Sequence, residues 1–338
     1  MNSQWITRNW YSKRVNWLWL PFSFLFYCLV LLRIWLYQCG LLKRYSLPVP
    51  VVVIGNLTVG GTGKTPCVIA LCQWLREQGF HPGVISRGYQ GQVKEAYLIQ
   101  EGDGASLVGD EPLLIFNEAK IPVAVGRDRY RAGTLLLQAH PHINIILSDD
   151  GLQHYRLQRD LEIVLIDGER QLGNHCLLPA GPLREPIGRL NSVDAIIFNG
   201  GDNHQAIGHQ PQYMMELIPD KWINVSNPTL IEESGFFNGQ TCHVTCAIGN
   251  PQRFIKTINS LNIVVKQTRI FDDHHPYQKV DFQGWENEKI LMTEKDGIKC
   301  KTFAPSNAWM LKVHARFDYP FYQWFENKLR QLRVKYGS

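Results

Sequence analysis

The chain predicts an α/β fold: a P-loop NTPase-like parallel sheet flanked by helices, with a smaller C-terminal α/β domain and an N-terminal membrane helix. Three observations predict it. The glycine-rich segment Thr58-Val59-Gly60-Gly61-Thr62-Gly63-Lys64-Thr65 sits between the apolar run Val49-Pro50-Val51-Val52-Val53-Ile54 and a helix-forming stretch. Further short apolar runs recur along the chain, each ending in polar residues. Residues 1–48 hold the excess of basic charge and half of the ten tryptophans.

The N-terminus comes first in order. Arg8, Lys13, Arg14, Arg33, Lys43 and Arg44 stand among residues 1–48 without an Asp or Glu, a local charge of +6 against +5 for the whole chain. The rest is therefore about neutral, which argues against a nucleic-acid-binding body. Trp17 to Leu32 carries no charge, and the apolar character resumes from Ile34 to Leu42. A bilayer core takes roughly 20 helical residues, so 17–42 can span a membrane or lie along it. Trp5, Trp10, Trp17, Trp19 and Trp35, with Tyr11, Tyr27, Tyr37 and Tyr45, have the composition of an interfacial belt. A cleaved signal peptide would want small residues after its core, where Trp35-Leu36-Tyr37 stands. A buried core helix, interrupted by Pro21 and Arg33, is the other reading of the stretch.

The glycine-rich loop has a direct chemical reading. Backbone N–H groups wrap a phosphate chain, and Gly60, Gly61 and Gly63 permit the close approach and positive φ that this requires. Thr62 completes the cradle, Lys64 reaches the outer phosphates, and the Thr65 hydroxyl suits Mg²⁺. The next helix, expected over Pro66–Gln78, points its positive end at the anion. Thr58 takes the place of the usual leading glycine.

Strands follow at Gly83-Val84-Ile85-Ser86, Ile121-Pro122-Val123-Ala124-Val125, Asn144-Ile145-Ile146-Leu147-Ser148 and Leu161-Glu162-Ile163-Val164-Leu165-Ile166. Ligands of a parallel sheet gather at the carboxyl ends of its strands, where Arg87, Arg127, Arg129, Asp149, Asp150 and Asp167 fall. Asp149-Asp150, ending a buried strand, suits a nucleotide-bound Mg²⁺; a plain acidic turn is the alternative. Gly109-Asp110-Glu111-Pro112 reads locally as a helix N-cap with Pro112 in the first turn, the other reading being a base for an incoming hydroxyl. Arg127, Arg129 and Arg184 are candidates for phosphate groups, or solvated surface arginines. The eight cysteines are scattered without a C-x-x-C pair and read as buried or free thiols. Residues 199–212 read as a loop, and beyond 225 a smaller α/β unit shows strands at 241–245, 262–266 and 289–292, a helix after Pro251 and a last helix near 319–334. The expected domains are 1–47, a membrane anchor; 48–224, the nucleotide core; and 225–338.

Taken together, the loop with Pro66, Ser86-Arg87-Gly88-Tyr89, Gly109-Asp110-Glu111-Pro112, Asp149-Asp150-Gly151-Leu152-Gln153-His154, Leu178-Pro179-Ala180-Gly181-Pro182-Leu183-Arg184-Glu185 and Asp273-His274-His275 resemble, in this order, the tetraacyldisaccharide 4'-kinase family. The resemblance runs from the apolar N-terminus to Thr293-Glu294-Lys295-Asp296. It implies transfer of the ATP γ-phosphoryl to the 4'-hydroxyl of a tetraacylated glucosamine disaccharide 1-phosphate, a lipid of the inner-membrane bilayer, giving lipid IVA at the cytoplasmic face. It also implies Asp110 as catalytic base, tuned by His274 or His275, with His274 ahead.

Rivals from other classes remain at this point. A membrane-tethered P-loop ATPase or GTPase could couple hydrolysis to a partner, although Thr293-Glu294-Lys295-Asp296 lacks the N-K-x-D order of a guanine reader. A soluble small-molecule kinase would leave residues 1–47 unexplained. A binding module would not need Asp110, Asp149 and Asp150 about one triphosphate.

Overall fold

The computed structural model describes residues 9–11, 15–201 and 206–336; Trp5, Arg8, Lys13 and Arg14 lie outside them. The chain forms two compact units, one running to Glu216 and resuming at Arg316, the other comprising Leu217–Ala315.

In the first unit, helix α1 (Leu20–Gln38) follows a 3₁₀ turn at Trp17–Trp19 whose Asn16 side chain accepts the Leu18 N–H at 3.2 Å. Pro21 lies in the first turn of α1, where its missing N–H breaks no helical bond. Leu20, Ser23, Phe26, Tyr27, Val30, Ile34 and Tyr37 are shielded at a three-to-four spacing, so one face of the helix lies against the body along its length. Phe22, Phe24, Leu25, Leu29, Leu31, Leu32 and Trp35 are exposed on the remainder.

The sheet of this unit is built from β1 (Val51–Gly55), β2 (Pro82–Ser86), β3 (Tyr97–Leu98), β4 (Val123–Val125), β5 (Ile145–Asp149), β6 (Leu161–Asp167), β7 (Ala195–Asn199) and the start of β8 (Gln212–Asn224). Its order is β8-β7-β6-β1-β5-β2-β4-β3, parallel throughout except for β3 on β4. Every residue of β1, β2, β5, β6 and β7 is buried, which is why apolar residues dominate these strands. Between them come the helices α2 (Lys64–Glu77), the short α3 (Ala105–Val108), α4 (Asp110–Ala119) and α5 (Arg129–Ala139). α2 buries Cys67, Val68, Leu71, Cys72 and Leu75, one stripe at helical spacing.

The second unit holds the rest of β8, β9 (Ile231–Glu233), β10 (Thr241–Cys246), helix α6 (Pro251–Ser260), β11 (Val264–Ile270), β12 (Ile290–Thr293), helix α7 (Glu294–Cys300) and β13 (Ala308–Phe317) up to Ala315. Its strand order is β11-β10-β12-β13-β8, with β9 antiparallel on β8. Trp222 and Phe237 meet edge-to-face at 5.3 Å within its core. All eight cysteines are free.

The final helix α8 (Tyr319–Tyr336) belongs to the first unit, whereas the sequence pointed to a C-terminal domain running from 225 to the end. The reason is aromatic packing: Phe325 lies 5.6 Å from Trp74 and Phe321 lies 5.5 Å from Tyr213. Strands β7, β8 and β13 were also absent from the sequence reading. β8 and β13 mix buried and half-exposed positions and carry Pro219, Lys312 and Arg316, which dilutes their apolar signal. The expected loop at 199–212 falls between β7 and β8, with 202–205 outside the described residues.

Candidate active site

The phosphate-type loop leaves β1 at the carboxyl edge of the sheet. Gly60 and Gly63 adopt φ of +109° and +93°, the left-handed region that a side chain resists. A Cβ at Gly63 would stand 2.1 Å from Asn199 Nδ2, which donates to the Thr62 carbonyl at 2.8 Å. Asn56 Nδ2 donates to the Gly60 carbonyl at 3.3 Å, so the loop is clasped on two sides. Thr58 forms an antiparallel bridge with Leu183. Thr58 is not among the residues at positive φ, so a side chain is tolerated where the leading glycine usually stands. Helix α2 starts at Lys64 with no side-chain cap, leaving first-turn N–H groups for an anion.

The two acidic residues at the carboxyl end of β5 have opposite environments. Asp150, at φ +47°, receives Arg184 Nη1 at 3.0 Å and has Lys64 Nζ 3.4 Å away. Burial pulls its pKa upward, but Lys64 and Arg184 outweigh that and hold the carboxyl well below the usual range. Asp149 is 1% exposed and lies beside Ile54 of β1. Ser86 Oγ donates to its Oδ2 at 3.1 Å, while Oδ1 is buried without a hydrogen-bond partner among the described residues. Burial, with Glu111 and Asp150 nearby, pushes the Asp149 carboxyl up to about 7. A buried carboxylate oxygen without a donor, at the end of the strand beside β1, is a hard oxygen and suits Mg²⁺. Thr62 Oγ1 is likewise buried without a partner among the described residues.

Arg129 is 2% exposed; its Nη1 donates to the Gly126 carbonyl at 2.9 Å and its Nη2 to the Asp149 carbonyl at 3.0 Å. Its guanidinium therefore orients the end of β5 instead of standing open like Arg127, which is exposed. Burial lowers Arg129 to about 10. His154, whose Nε2 accepts the Arg129 N–H at 3.3 Å, is lowered to about 4 by burial and by Arg129.

Asp110 is the first residue of α4 and is 6% exposed. Gly109 precedes it at φ +95°, and a Cβ there would lie 2.8 Å from the Tyr89 carbonyl oxygen. The Gly88-Tyr89 turn thus packs on the start of α4 at the same carboxyl edge. Asp110 and Glu111 occupy the positive end of that helix; the helix starts where the local reading put it, but its N-cap is Gly109, without a side-chain cap.

The histidine pair lies in the second unit. His275 Nε2 is 3.0 Å from Asp281 Oδ2 and its ring stacks on Phe271 at 4.2 Å. His274, at φ +65°, has Nε2 3.3 Å from Lys295 Nζ, which donates to Asp273 at 3.2 Å. In Thr293-Glu294-Lys295-Asp296, Thr293 caps α7 and the buried Asp296 accepts the Ala247 N–H at 3.0 Å. Asn199, Ser86 and Gln153, which donates to the Asn56 carbonyl at 3.2 Å, had no role in the sequence reading. Each had a local signal: Ser86 and Gln153 lie in the motifs that carry the resemblance, and Asn199 is an amide closing an apolar run.

A parallel sheet with a glycine loop, a capless helix start and a buried acid beside the loop defines a P-loop phosphotransferase. Comparison with known proteins narrows the class. The profile of the tetraacyldisaccharide-1-P 4'-kinase family matches residues 15–330, and the chain belongs to that family. The tetraacyldisaccharide 4'-kinase of Methylobacillus flagellatus is 47% identical over 318 residues, covering 94% of this chain and 93% of that relative. The enzyme of the same name from Shewanella woodyi is 41% identical over 343 residues, covering 98% of each. The crystal structure of "apo" form LpxK from Aquifex aeolicus in complex with ATP aligns with a TM-score of 0.77 at 30% identity, covering 94% of this chain and 98% of that one.

Proposed function

We propose that this chain transfers the γ-phosphoryl group of ATP to the 4'-hydroxyl of tetraacyldisaccharide 1-phosphate, giving lipid IVA at the cytoplasmic face of the inner membrane. The observation that carries the reading is the division of labour in the acid pair. Asp150 is engaged by Lys64 and Arg184, and Asp149 keeps a buried oxygen without a partner among the described residues, beside the loop. Both arrangements suit a site that handles a triphosphate.

The loop amides of Gly60–Gly63 and the first turn of α2 bind the phosphates, and Lys64 neutralises their outer oxygens. Thr65 and Asp149 are the residues that would hold Mg²⁺, which would supply charge neutralisation for the phosphates. Asp150 keeps Lys64 and Arg184 directed at the loop mouth. Asp110 accepts the proton of the sugar hydroxyl, worth roughly 10²–10⁴-fold in rate. Arg127 and Arg184 bind phosphate groups of the substrates, and Arg129 acts through the backbone of Asp149. His274 supports the proton transfer, a role that rests on the resemblance of its motif.

The N-terminal helix explains how a lipid reaches this site. Trp17–Gln38 is long and apolar enough to cross a membrane. One face nevertheless lies against the body from Leu20 to Tyr37, and the rest exposes Phe22, Phe24, Leu25, Leu29, Leu32 and Trp35. That arrangement supports a helix lying in the interface with its outer face in the acyl region, where the tetraacylated substrate resides.

The test is transfer of label from γ-labelled ATP to tetraacyldisaccharide 1-phosphate in mixed micelles, comparing the parent with Asp110→Ala. Labelled lipid that disappears in the variant, with ATP binding retained, supports both the reaction and the base. ATP hydrolysis without labelled lipid would overturn the reading in favour of a coupling ATPase.

A further inference from the structure

We propose that Ser23 is a positioning residue for the phosphate loop, linking the apolar N-terminal helix to the Leu177–Arg184 segment that braces the loop. The proposal rests on the kinase reading above for its catalytic consequence, though not for its effect on nucleotide binding.

Ser23 is the buried residue of α1. Its hydroxyl donates to the Leu177 carbonyl at 2.9 Å and accepts the Ala180 N–H at 2.9 Å. A helical serine ordinarily turns its hydroxyl back to its own helix, and an apolar helix docks without any polar tie. Here both hydrogen-bonding capacities go to one distant segment. A second tie comes from Trp10, whose Nε1 donates to the Pro179 carbonyl at 2.9 Å.

The braced segment has little slack. Leu178 N–H donates to the Leu183 carbonyl at 2.9 Å and Gly181 N–H to the Leu177 carbonyl at 3.0 Å, closing it into a tight loop. A Cβ at Gly181 would stand 2.1 Å from Asn174 Oδ1 and 2.3 Å from the Cys176 carbonyl oxygen. Its far end grips the entry to the phosphate loop through two backbone hydrogen bonds. Val59 N–H donates to the Pro182 carbonyl at 2.8 Å and Arg184 N–H donates to the Leu57 carbonyl at 2.7 Å, the pair that makes the bridge between Thr58 and Leu183. A shift of α1 is therefore passed through this segment to the backbone just ahead of Gly60. Loop amides converge on the phosphates only when that backbone is held, and small misplacements cost much in such sites.

The experiment uses the full chain in mixed micelles and in phospholipid vesicles, with Ser23→Ala, Ser23→Thr and Trp10→Phe beside the parent. Affinity for a fluorescent ATP analogue, KM for ATP, KM for the lipid, kcat and vesicle flotation are measured. Ser23→Ala strands the buried Ala180 N–H, so ATP affinity should fall and KM for ATP rise by about fivefold or more. Flotation and KM for the lipid should stay within twofold. Ser23→Thr, which keeps the hydroxyl, should restore ATP binding, and Trp10→Phe should shift it in the same direction as Ser23→Ala. Unchanged ATP affinity in folded Ser23→Ala, or in Trp10→Phe should Ser23→Ala not fold, overturns the link. So does a change confined to the lipid KM. If the parent binds the ATP analogue but labels no lipid, the kinase reading fails, and the binding measurements still decide the role of Ser23.

Discussion

The substitution Asp149→Asn separates what this residue costs the fold from what it gives the reaction. Folded, the carboxyl holds its proton to about pH 7; the ordinary value is 3.8. Across that interval the unfolded chain binds fewer protons than the folded one, so stability falls as pH rises from about 4 to about 7. The gap of about three pKa units corresponds to roughly 4 kcal/mol of destabilisation above pH 7, since each unit is worth about 1.4 kcal/mol. Burial is the leading cause and Glu111 the next. Asparagine keeps the shape and removes the charge, so the variant should be more stable than the parent by a few kcal/mol at pH 8 and by about 1–2 kcal/mol at pH 5, with the two converging near pH 4. The assay is urea unfolding of both proteins at pH 5, 6, 7 and 8 with EDTA present. Adding Mg²⁺ and ATP should flatten the parent's decline, because a bound cation offsets the buried charge. The same substitution should abolish lipid phosphorylation. An Asp149→Asn variant with the parent's pH slope, or with phosphotransfer intact, would refute the reasoning.

Other perturbations probe neighbouring parts. Gly63→Ala places a methyl group on Asn199 at φ +93°; left-handed strain of about 1–2 kcal/mol plus the displaced amide should weaken ATP-analogue binding at least about tenfold. Arg129→Met leaves the Gly126 and Asp149 carbonyls without their donors; urea unfolding should show a loss of about 2–3 kcal/mol, and kinetics a lower kcat with the lipid KM unchanged. His275→Ala removes the Asp281 contact and the Phe271 stack, lowering stability by about 1–2 kcal/mol, whereas His274→Ala should lower kcat with the unfolding midpoint preserved.

The legible parts of this molecule were those whose physics is local. A buried parallel strand is dominated by apolar residues, so β1, β2, β5 and β6 announced themselves within a residue or two of their ends, although β7, just as buried, was not among the strands read from the sequence. A phosphate loop needs glycines at positive φ, and Gly60 and Gly63 stand there. Helix α1 showed its apolar character in one stretch. Less legible were β8 and β13, whose half-exposed residues mix polar and apolar types, and the allegiance of α8, which depends on Trp74 and Tyr213 far away in sequence.

The sequence by itself determined the fold class, the family resemblance and the position of the loop, because chain direction, backbone freedom and side-chain chemistry act over a few residues. Tertiary structure decided how the candidates divide their work. Asp149 and Asp150 are adjacent and chemically identical, yet Lys64 and Arg184 converge on one of them and burial surrounds the other. Arg129 resembles Arg127 in sequence but is committed to the backbone beneath the site. Ser23 stands out in no motif and acquires its meaning only when a segment some 150 residues away folds against it. Electrostatic environment and hydrogen-bond partnership are properties of distance in space, and distance in space is what a linear sequence does not carry.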